Sequence, residues 1–235
     1  MSYITHEDNL KNSTYPGRGI VIGMTPNSSH IVQVYWIMGR SVNSRNRIFE
    51  KDGSFLRTKA FDESKLTDPS LIIYYPIKNY GKKHIVTNGD QTDTIFEYLQ
   101  NSKTFEAALN TREYEPDPPN FTPRISGISN MDDMSYKLSI LKTIDNNAEQ
   151  GQKNFFSYDS FIKGIGHCIT TYADNGNPLP SFKGEPYKVT LFNDISDTAE
   201  KFWGYLDVDN RVSLAVKFIN CKTGESNIKI INKNV

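Results

Sequence analysis

Residues 31–38, with the sequence IVQVYWIM, restrict the possible folds of this chain more than any other segment. Consecutive side chains of a strand point to opposite faces of a sheet, and here both faces are apolar apart from Gln33. Strands of this kind lie in sheets that are covered on both sides, because a sheet with one wet face needs alternating polar residues. The segment therefore predicts a sheet buried on both faces.

A second segment, residues 71–77 with the sequence LIIYYPI, has the same apolar character and predicts a buried strand that ends near Pro76. Strand-like sequences recur along the rest of the chain, separated by turn residues. They cover residues 17–24, 125–129, 136–144, 155–157, 167–172, 187–192, 211–219 and 228–231.

Two regions are predicted as helices by the spacing of their apolar residues. The first starts at Asp90 and is interrupted near residues 101–102. The second covers residues 195–206, with Asp194 or Ser196 as its N-terminal cap. The chain thus combines many strands with two or three helices.

This combination predicts an α+β protein, and the strands that need cover on both faces restrict it further. Two stacked sheets with helices on their outer faces provide that cover, so we predict a four-layer α-β-β-α sandwich. A single-layer α+β sheet is the alternative. The length of 235 residues suits one large domain, and we predict a polar arm over residues 1–14 and a single domain over residues 15–235.

Charge and composition argue against several classes of partner. The chain has 27 basic and 27 acidic residues, without the basic excess of a nucleic-acid-binding surface. No apolar run approaches the roughly 18–20 residues that span a bilayer, and the N-terminus lacks the apolar core of a signal peptide. Cys168 and Cys221 are far apart, and the four histidines lack metal-site spacing. We expect a cytoplasmic protein that binds a small anion without a metal.

Residues 39–47, GRSVNSRNR, place three arginines directly after the apolar segment. Guanidinium groups bind phosphate oxygens in pairs, which the ammonium group of lysine cannot do. If the chain stays extended here, alternate side chains form a polar comb suited to a phosphorylated small molecule. These side chains are Ser41, Asn43, Arg45 and Arg47. The alternative is a solvated basic loop.

Two tyrosines and a glutamate are the other candidates for chemistry. Tyr74 and Tyr75 lie on a predicted strand near Lys78, and a nearby cation lowers the pKa of a phenol that donates a proton. Glu115 lies in a loop with four prolines, where a fixed carboxylate can accept a proton or a hydrogen bond. The alternatives are ordinary strand aromatics and a surface glutamate. A second proline-rich loop, residues 174–186, is expected to form a pocket wall.

Common nucleotide-binding and nucleophile motifs are missing from the sequence. Gly17, Gly19 and Gly23 form GxGxxxG, which is one residue too long for a dinucleotide-binding turn, and GxxxxGK[ST] does not occur. GxSxG does not occur either, and Cys168 lies in the apolar sequence GIGHCITTY, which is typical of a buried small side chain. We interpret the three glycines as places of close backbone approach.

Five short pieces of the chain, taken in order, resemble the archaeal-type IMP cyclohydrolases. The pieces are GRGIVIG, RSVNSRNR, IIYYPIK, TNGDQTDTI and YEPDPPNFTPRI. The resemblance covers residues 15–130 and is looser beyond them, as in a divergent bacterial-type relative. It implies a fold similar to N-terminal-nucleophile hydrolases and a homo-oligomer. The implied reaction closes a formylated aminoimidazole-carboxamide ribonucleotide to IMP and water, without a metal, folate or nucleotide cofactor.

The resemblance also implies roles for individual residues. Arg45 and Tyr74 match the arginine and tyrosine of the family's active site, with Tyr75 as the fallback for Tyr74. Both would stabilise or protonate the formyl oxygen, while Glu115, the family's glutamate, would orient the carboxamide or accept its proton. The substrate-binding candidates are Arg40 or Arg47 for the phosphate, Asn88, Asp90 and Thr92 for the ribose or base, and Asn43, Lys78 and Arg124.

Two other functions remain open at the level of sequence. An amide hydrolase on the same fold would need a nucleophile at the start of a core strand, and Ser2 is the candidate if Met1 is removed. A purine-ribonucleotide-binding protein without catalytic turnover would keep the same pocket and lose only the reaction.

Overall fold

Two antiparallel sheets and a few helices make up the fold, in a computed structural model that describes residues 4–65 and 72–235. The strands are β1 (Gly19–Met24), β2 (His30–Met38), β3 (Arg47–Asp52), β4 (Phe55–Ala60), β5 (Ile77–Tyr80), β6 (Lys83–Thr87), β7 (Arg124–Asn130), β8 (Ser135–Ile144), β9 (Asn147–Tyr158), β10 (Ile165–Thr170), β11 (Tyr187–Thr190), β12 (Arg211–Asn220) and β13 (Ser226–Asn232). The helices are α1 (Asp8–Lys11), α2 (Val42–Arg45), α3 (Gln91–Gln100), α4 (Phe105–Leu109) and α5 (Ile195–Tyr205).

The strands are divided between two sheets of six and seven strands. The first sheet has the order β11-β10-β1-β2-β12-β13, and the second sheet has the order β3-β4-β5-β6-β7-β8-β9. Neighbouring strands are antiparallel in both sheets. Few helices beside antiparallel sheets confirm the predicted α+β class.

The facing sides of the two sheets share one apolar core. Ile22 and Tyr35 of the first sheet pack in the same buried cluster as Val86 and Leu138 of the second sheet. Gly127 allows the sheets to approach closely, since a Cβ atom at this position would lie 2.6 Å from the Ile22 side chain. The predicted burial of the central strand is confirmed, because β2 is buried on both faces from its second residue onwards.

Helices cover the outer faces of both sheets. On the first sheet, Phe202 of α5 lies in a buried cluster with Trp36 of β2, and Leu10 of α1 joins the same cluster. On the second sheet, Ile95 of α3 packs with Ile85 of β6, together with residues of α4. Helix, sheet, sheet and helix are therefore stacked in this order.

The positions of the predicted helices are confirmed, and so is the predicted break within the first helical region. The first region forms α3 and α4, and the turn between them includes residues 101–104. Asp194 caps α5, since its carboxylate accepts hydrogen bonds from the backbone N–H groups of Ser196 and Asp197. None of the helices in the described residues is long and apolar enough to cross a membrane.

The strand predicted at residues 71–77 is wrong. Residue 71 lies outside the described residues, and regular pairing begins only with β5 at Ile77. Tyr74 instead donates its backbone N–H to the side-chain oxygen of Thr58 at 2.9 Å. Pro76 has no N–H to donate to a ladder, which explains why pairing starts after it. This irregular segment moves Tyr74 away from a strand position.

The extended comb predicted within residues 39–47 is also wrong, because residues 42–45 form the short helix α2. Ser41 and Ser44 form a capping box, in which each side chain bonds the backbone N–H of the other residue. Local capping by serine thus prevails over the extended chain. As a result, the alternation of side chains on which the extended comb depends is lost at residues 42–45.

A lysine is buried between the two sheets. Lys217 of β12 has no exposed surface, and its Nζ lies 3.5 Å from the carbonyl oxygen of Ser54. Burial lowers the pKa of Lys217 from 10.5 to about 8. When the pKa of a basic group is lower in the folded state, the free energy of unfolding decreases as the pH falls from 10.5 to 8. The reason is that only the unfolded chain takes up the proton in this pH range.

Replacing Lys217 with methionine is therefore expected to raise the free energy of unfolding at pH 7 by about 3 kcal/mol. The gain should shrink as the pH rises from 8 towards 10. Urea denaturation at several pH values measures it. Lys229→Met on the exposed side of the neighbouring strand is the control, and it should show no such pH dependence. A gain independent of pH would contradict a charged Lys217 as the cause.

Candidate active site

A cavity of about 330 Å³ lies where the N-terminal ends of β1 and β3 come close to two loops. Its lining is rich in charged and hydroxyl side chains, and it contains Tyr15, Arg18, Arg40, Ser41, Asn43, Ser44, Arg47, Ile72, Glu115, Asp117, Asn120, Thr122, Tyr172 and Leu179. A larger cavity of about 660 Å³ lies beside α1, but no arginine lines it. The smaller cavity therefore has the chemistry expected of a site for a phosphorylated ligand.

Two buried arginines face this cavity from different sheets. Arg18 directly precedes β1. Its backbone N–H donates to the side-chain oxygen of Thr171, and its carbonyl oxygen accepts from the backbone N–H of Thr171. Arg47 is the first residue of β3. Among the described residues, the Nε of Arg18 and both the Nε and Nη1 of Arg47 are buried without a hydrogen-bond partner. Buried donors of this kind are costly unless a ligand completes them. An anion in the cavity would do so.

The electrostatics of the two arginines differ. Burial alone would lower the pKa of Arg18, yet the negative charge of Glu115 raises it above its ordinary value. Burial lowers the pKa of Arg47, and the nearby positive charge of Arg18 lowers it further. Arg18 is thus already compensated by a carboxylate, whereas Arg47 is the less compensated cation. Arg47 is therefore the stronger candidate of the two for binding an anion in the cavity.

Glu115 is buried in the proline-rich loop between α4 and β7. Its backbone N–H donates to the carbonyl oxygen of Thr122 at 2.9 Å, and the hydroxyl group of Thr122 is bonded to Asp117 and to Tyr172. Burial raises the pKa of Glu115 above its usual value, although Arg18 and then Arg124 oppose this shift. A carboxyl group in this setting is suited to exchange a proton with a ligand.

Tyr74 is not one of the residues that line the cavity, but it interacts electrostatically with three that do, Arg18, Arg47 and Glu115. Its hydroxyl oxygen is 2.8 Å from that of Tyr35, and both side chains are buried. Burial raises the pKa of Tyr74, while the positive charges of Arg47 and Arg18 lower it. Tyr75, the fallback, bonds Asp52 at the surface instead. The geometry therefore favours Tyr74 as the phenol of this site.

The structure places Arg45 outside the cavity. It ends helix α2, with its Nε donating to the carbonyl oxygen of Gly39 at 2.9 Å and an Nη to the side chain of Asn210 at 3.2 Å. These bonds hold the turn after β2. Arg47, two residues further along the same motif, supplies the guanidinium that lines the cavity. The helical turn of α2 separates the two arginines, which an extended chain would have kept together.

Arg40 does line the cavity but is engaged by the second proline-rich loop. Its Nη1 donates to the side chain of Asn175 at 2.6 Å and to the carbonyl oxygen of Gly176 at 2.9 Å. Its guanidinium carbon lies 4.9 Å from the centre of the Tyr15 ring. Leu179 of the same loop also lines the cavity. This loop is thus a wall of the cavity, attached through Arg40.

The residues of the TNGDQT motif mainly stabilise the turn before α3. The side chain of Asn88 bonds the backbone of Pro123 and Ile125, and the hydroxyl of Thr92 bonds that of Thr87. Asp90 pairs with Arg112 and, at 2.7 Å, with Arg124. The carboxylate of Asp90 therefore orients Arg124, which in turn acts on the pKa of Glu115.

Gly89 lets Arg124 and Glu115 come close to this turn. A Cβ atom at Gly89 would lie 2.7 Å from Nη1 of Arg124 and from Oε1 of Gln91, and 3.5 Å from Oε1 of Glu115. Arg124 and Gln91 are bonded to each other at 2.8 Å, so neither can move away without losing that bond. A methyl group at this position has no free space.

Gly89→Ala is therefore expected to lower the free energy of unfolding by about 1–3 kcal/mol and to weaken ligand binding in the cavity. Thermal denaturation and ligand titration measure the two effects. Gly204→Ala is the control, because a Cβ there meets no atom within 4 Å. That change should leave binding intact and stabilise α5 by about 0.5–1 kcal/mol. Equal behaviour of the two variants would contradict the close contact at Gly89.

Of the remaining candidates, Asn43 lines the cavity and Lys78 does not. The Nζ of Lys78 pairs with Asp93 of α3 at 2.5 Å and lies 4.6 Å from the centre of the Tyr75 ring. Among the described residues, no group of three or more His, Cys, Asp or Glu side chains is arranged to hold a metal ion.

Arg18 and Tyr35 are not among the site residues predicted from the sequence. Arg18 has a sequence signal, because it is a charged residue between two glycines at the start of an apolar strand. Tyr35 has none, since it is one aromatic residue in an apolar run. Only the packing of the two sheets brings its hydroxyl to Tyr74.

One known protein family matches a range of the chain that contains the whole candidate site. The model of a family described as IMP cyclohydrolase-like protein matches residues 15–224. No curated protein matches the chain by sequence. The matched range includes all the charged residues of the cavity described above.

Proposed function

Because the chain belongs to the IMP cyclohydrolase-like protein family, we propose that it closes the ring of a formylated aminoimidazole-carboxamide ribonucleotide to give IMP and water. One observation carries the proposal: two buried arginines and a carboxyl group line a cavity of about 330 Å³, and the buried phenol of Tyr74 interacts electrostatically with all three. The stacking of helix, sheet, sheet and helix supports a fold similar to N-terminal-nucleophile hydrolases.

The reaction is intramolecular, and its atoms balance without a cofactor. The carboxamide nitrogen attacks the formyl carbon, and one proton of that nitrogen passes to the formyl oxygen, which becomes a hydroxyl group. The formamide nitrogen then loses its proton as the C–OH bond breaks, so that the oxygen leaves as water. Holding the two reacting groups together can supply much of the rate enhancement, because both belong to one bound molecule.

In this proposal the arginines bind the anionic part of the substrate. Arg47 offers two buried nitrogens that have no partner among the described residues, and Arg18 offers one. A phosphate group accepts such bonds in pairs, and the bonds are strong because both partners are charged. Arg40 lies at the edge of the cavity and adds a positive charge there.

Tyr74 and Glu115 are the groups that handle protons. Tyr74 donates a hydrogen bond to the formyl oxygen as negative charge develops on it, which stabilises the transition state more than the bound substrate. Glu115 accepts the proton of the attacking carboxamide nitrogen, and its raised pKa favours the return of that proton to the leaving oxygen. The positive charges of Arg18 and Arg124 limit the rise in the pKa of Glu115.

An absorbance assay tests this function directly. Purified protein mixed with the formylated ribonucleotide should produce the absorbance of IMP, and Arg57→Met, which changes an exposed arginine away from the cavity, should not alter the rate. A folded protein that produces no IMP would overturn the proposal. Tight IMP binding without ring closure would then support a non-catalytic ribonucleotide-binding protein. The amide-hydrolase alternative depends on Ser2, which lies outside the described residues.

A further inference from the structure

Tyr35 touches the candidate site only through another side chain. It lies on β2 with no exposed surface, and its ring packs 5.5 Å from that of Phe49 between the two sheets. Neither Tyr35 nor Tyr74 lines the cavity, but Tyr74 is 5% exposed and interacts electrostatically with Arg18, Arg47 and Glu115, which do line it. Among the described residues, the hydroxyl group of Tyr74 is the one hydrogen-bond partner of the Tyr35 hydroxyl, at 2.8 Å.

Resting on the proposed function, we propose that Tyr35 is a positioning residue that donates its hydroxyl proton to the oxygen of Tyr74 and so leaves the Tyr74 proton free for the substrate. Each hydroxyl group has one proton, and the pair can share only one of the two. The direction of this single bond therefore decides whether Tyr74 can act as a donor.

Burial decides the direction of the bond. If Tyr74 donated to Tyr35, the proton of Tyr35 would be buried in an apolar environment without an acceptor, which is costly. If Tyr35 donates, its proton is satisfied, and the proton that remains belongs to the residue next to the cavity. The second arrangement satisfies both groups once a substrate oxygen is bound.

The charges around the pair act in the same direction. Burial together with Tyr74 raises the pKa of Tyr35 well above 10, although Arg18 and Arg47 oppose this shift, so Tyr35 stays protonated. Burial also raises the pKa of Tyr74, but Arg47, Arg18 and the bond from Tyr35 lower it, while Glu115 raises it. The titratable groups that act on Tyr74 are therefore two cations, one carboxyl group and Tyr35.

Carbon-13 NMR of the tyrosine ring carbons tests the direction of the bond without relying on activity. The Tyr74 signal is identified by its loss in Tyr74→Phe. Replacing Tyr35 with phenylalanine should raise the pKa of Tyr74, because a donor to the phenolate is lost. A fall in that pKa would show that Tyr35 accepts instead, and an unchanged pKa would show that the bond is not formed. Either result overturns the inference.

Kinetics test the role in turnover with a double-mutant cycle. Tyr35→Phe should lower kcat by about 10-fold with KM unchanged, and adding it to Tyr74→Phe should cause no further loss. If the loss of kcat in the double variant equals the product of the losses in the two single variants, Tyr35 does not act through Tyr74. Tyr136→Phe is the matched control, since its buried hydroxyl bonds His167 at 2.6 Å away from the cavity, and it should change neither kcat nor the Tyr74 signal.

The two experiments separate the inference from the proposed function. If the parent protein forms no IMP, the proposed function fails, while the NMR titration still decides the direction of the Tyr35–Tyr74 bond. If IMP forms and the losses multiply, the proposed function stands and the role of Tyr35 fails.

Discussion

Replacing Tyr74 with phenylalanine is expected to lower kcat by about 100- to 1000-fold and to change KM by less than about twofold. Under the proposed function, the phenol bonds an oxygen that gains negative charge only during ring closure. Other groups, above all Arg47, would hold the substrate. Steady-state kinetics with the formylated ribonucleotide measure both constants.

Tyr75→Phe serves as the control for Tyr74→Phe. The two residues are adjacent, and each loses one hydroxyl group, but the hydroxyl of Tyr75 bonds Asp52 outside the cavity. Tyr75→Phe should therefore keep normal kinetics. A parallel loss of kcat and of substrate affinity in Tyr74→Phe would argue against proton donation and for a role in binding alone.

Arg47→Met is expected to weaken IMP binding by at least about 100-fold and to make the fold more stable by about 1–4 kcal/mol. The two effects have one cause. Arg47 is a buried cation with nitrogens that have no partner among the described residues, and Arg18 adds repulsion. An apolar side chain of similar length removes that cost along with the proposed bonds to the phosphate group.

Calorimetric titration with IMP and thermal denaturation measure the two effects of Arg47→Met separately. Arg57→Met is a suitable control, because Arg57 is exposed on the neighbouring strand β4 and pairs with Glu50. It should leave IMP affinity unchanged. A loss of binding together with a loss of stability would show instead that Arg47 mainly supports the fold.

The fold was predictable where apolar patterns are long. Residues 31–38 are apolar on both faces, and that property alone requires cover on both sides of the sheet, as β2 has. The helical spacing around α5 was equally clear. Strands β3 to β6 are short, and β3 and β4 contain several charged residues, so their positions are not evident from apolar patterns.

The site was less predictable, because its position depends on turns. Within residues 39–47 the motif is plain, yet the capping bonds of Ser41 turn the chain and bring Arg47 rather than Arg45 to the cavity. For Tyr74, Pro76 and the bonds to Thr58 replace a regular strand position with a buried bend. Residue types thus indicated the candidate chemistry, while local backbone geometry decided which of two neighbouring residues lies near the cavity.

The two cavity arginines are anchored on different layers of the sandwich, Arg18 at the entrance of β1 and Arg47 at the entrance of β3. A nucleotide bound by both would tie the layers together as a cross-link does. The sheets could then separate only after the ligand had left. Saturation at 100 times the dissociation constant would add about 2.7 kcal/mol to the resistance against unfolding. Heat or denaturant would therefore unfold ligand-free protein first, so the supply of substrate would determine the lifetime of the folded protein.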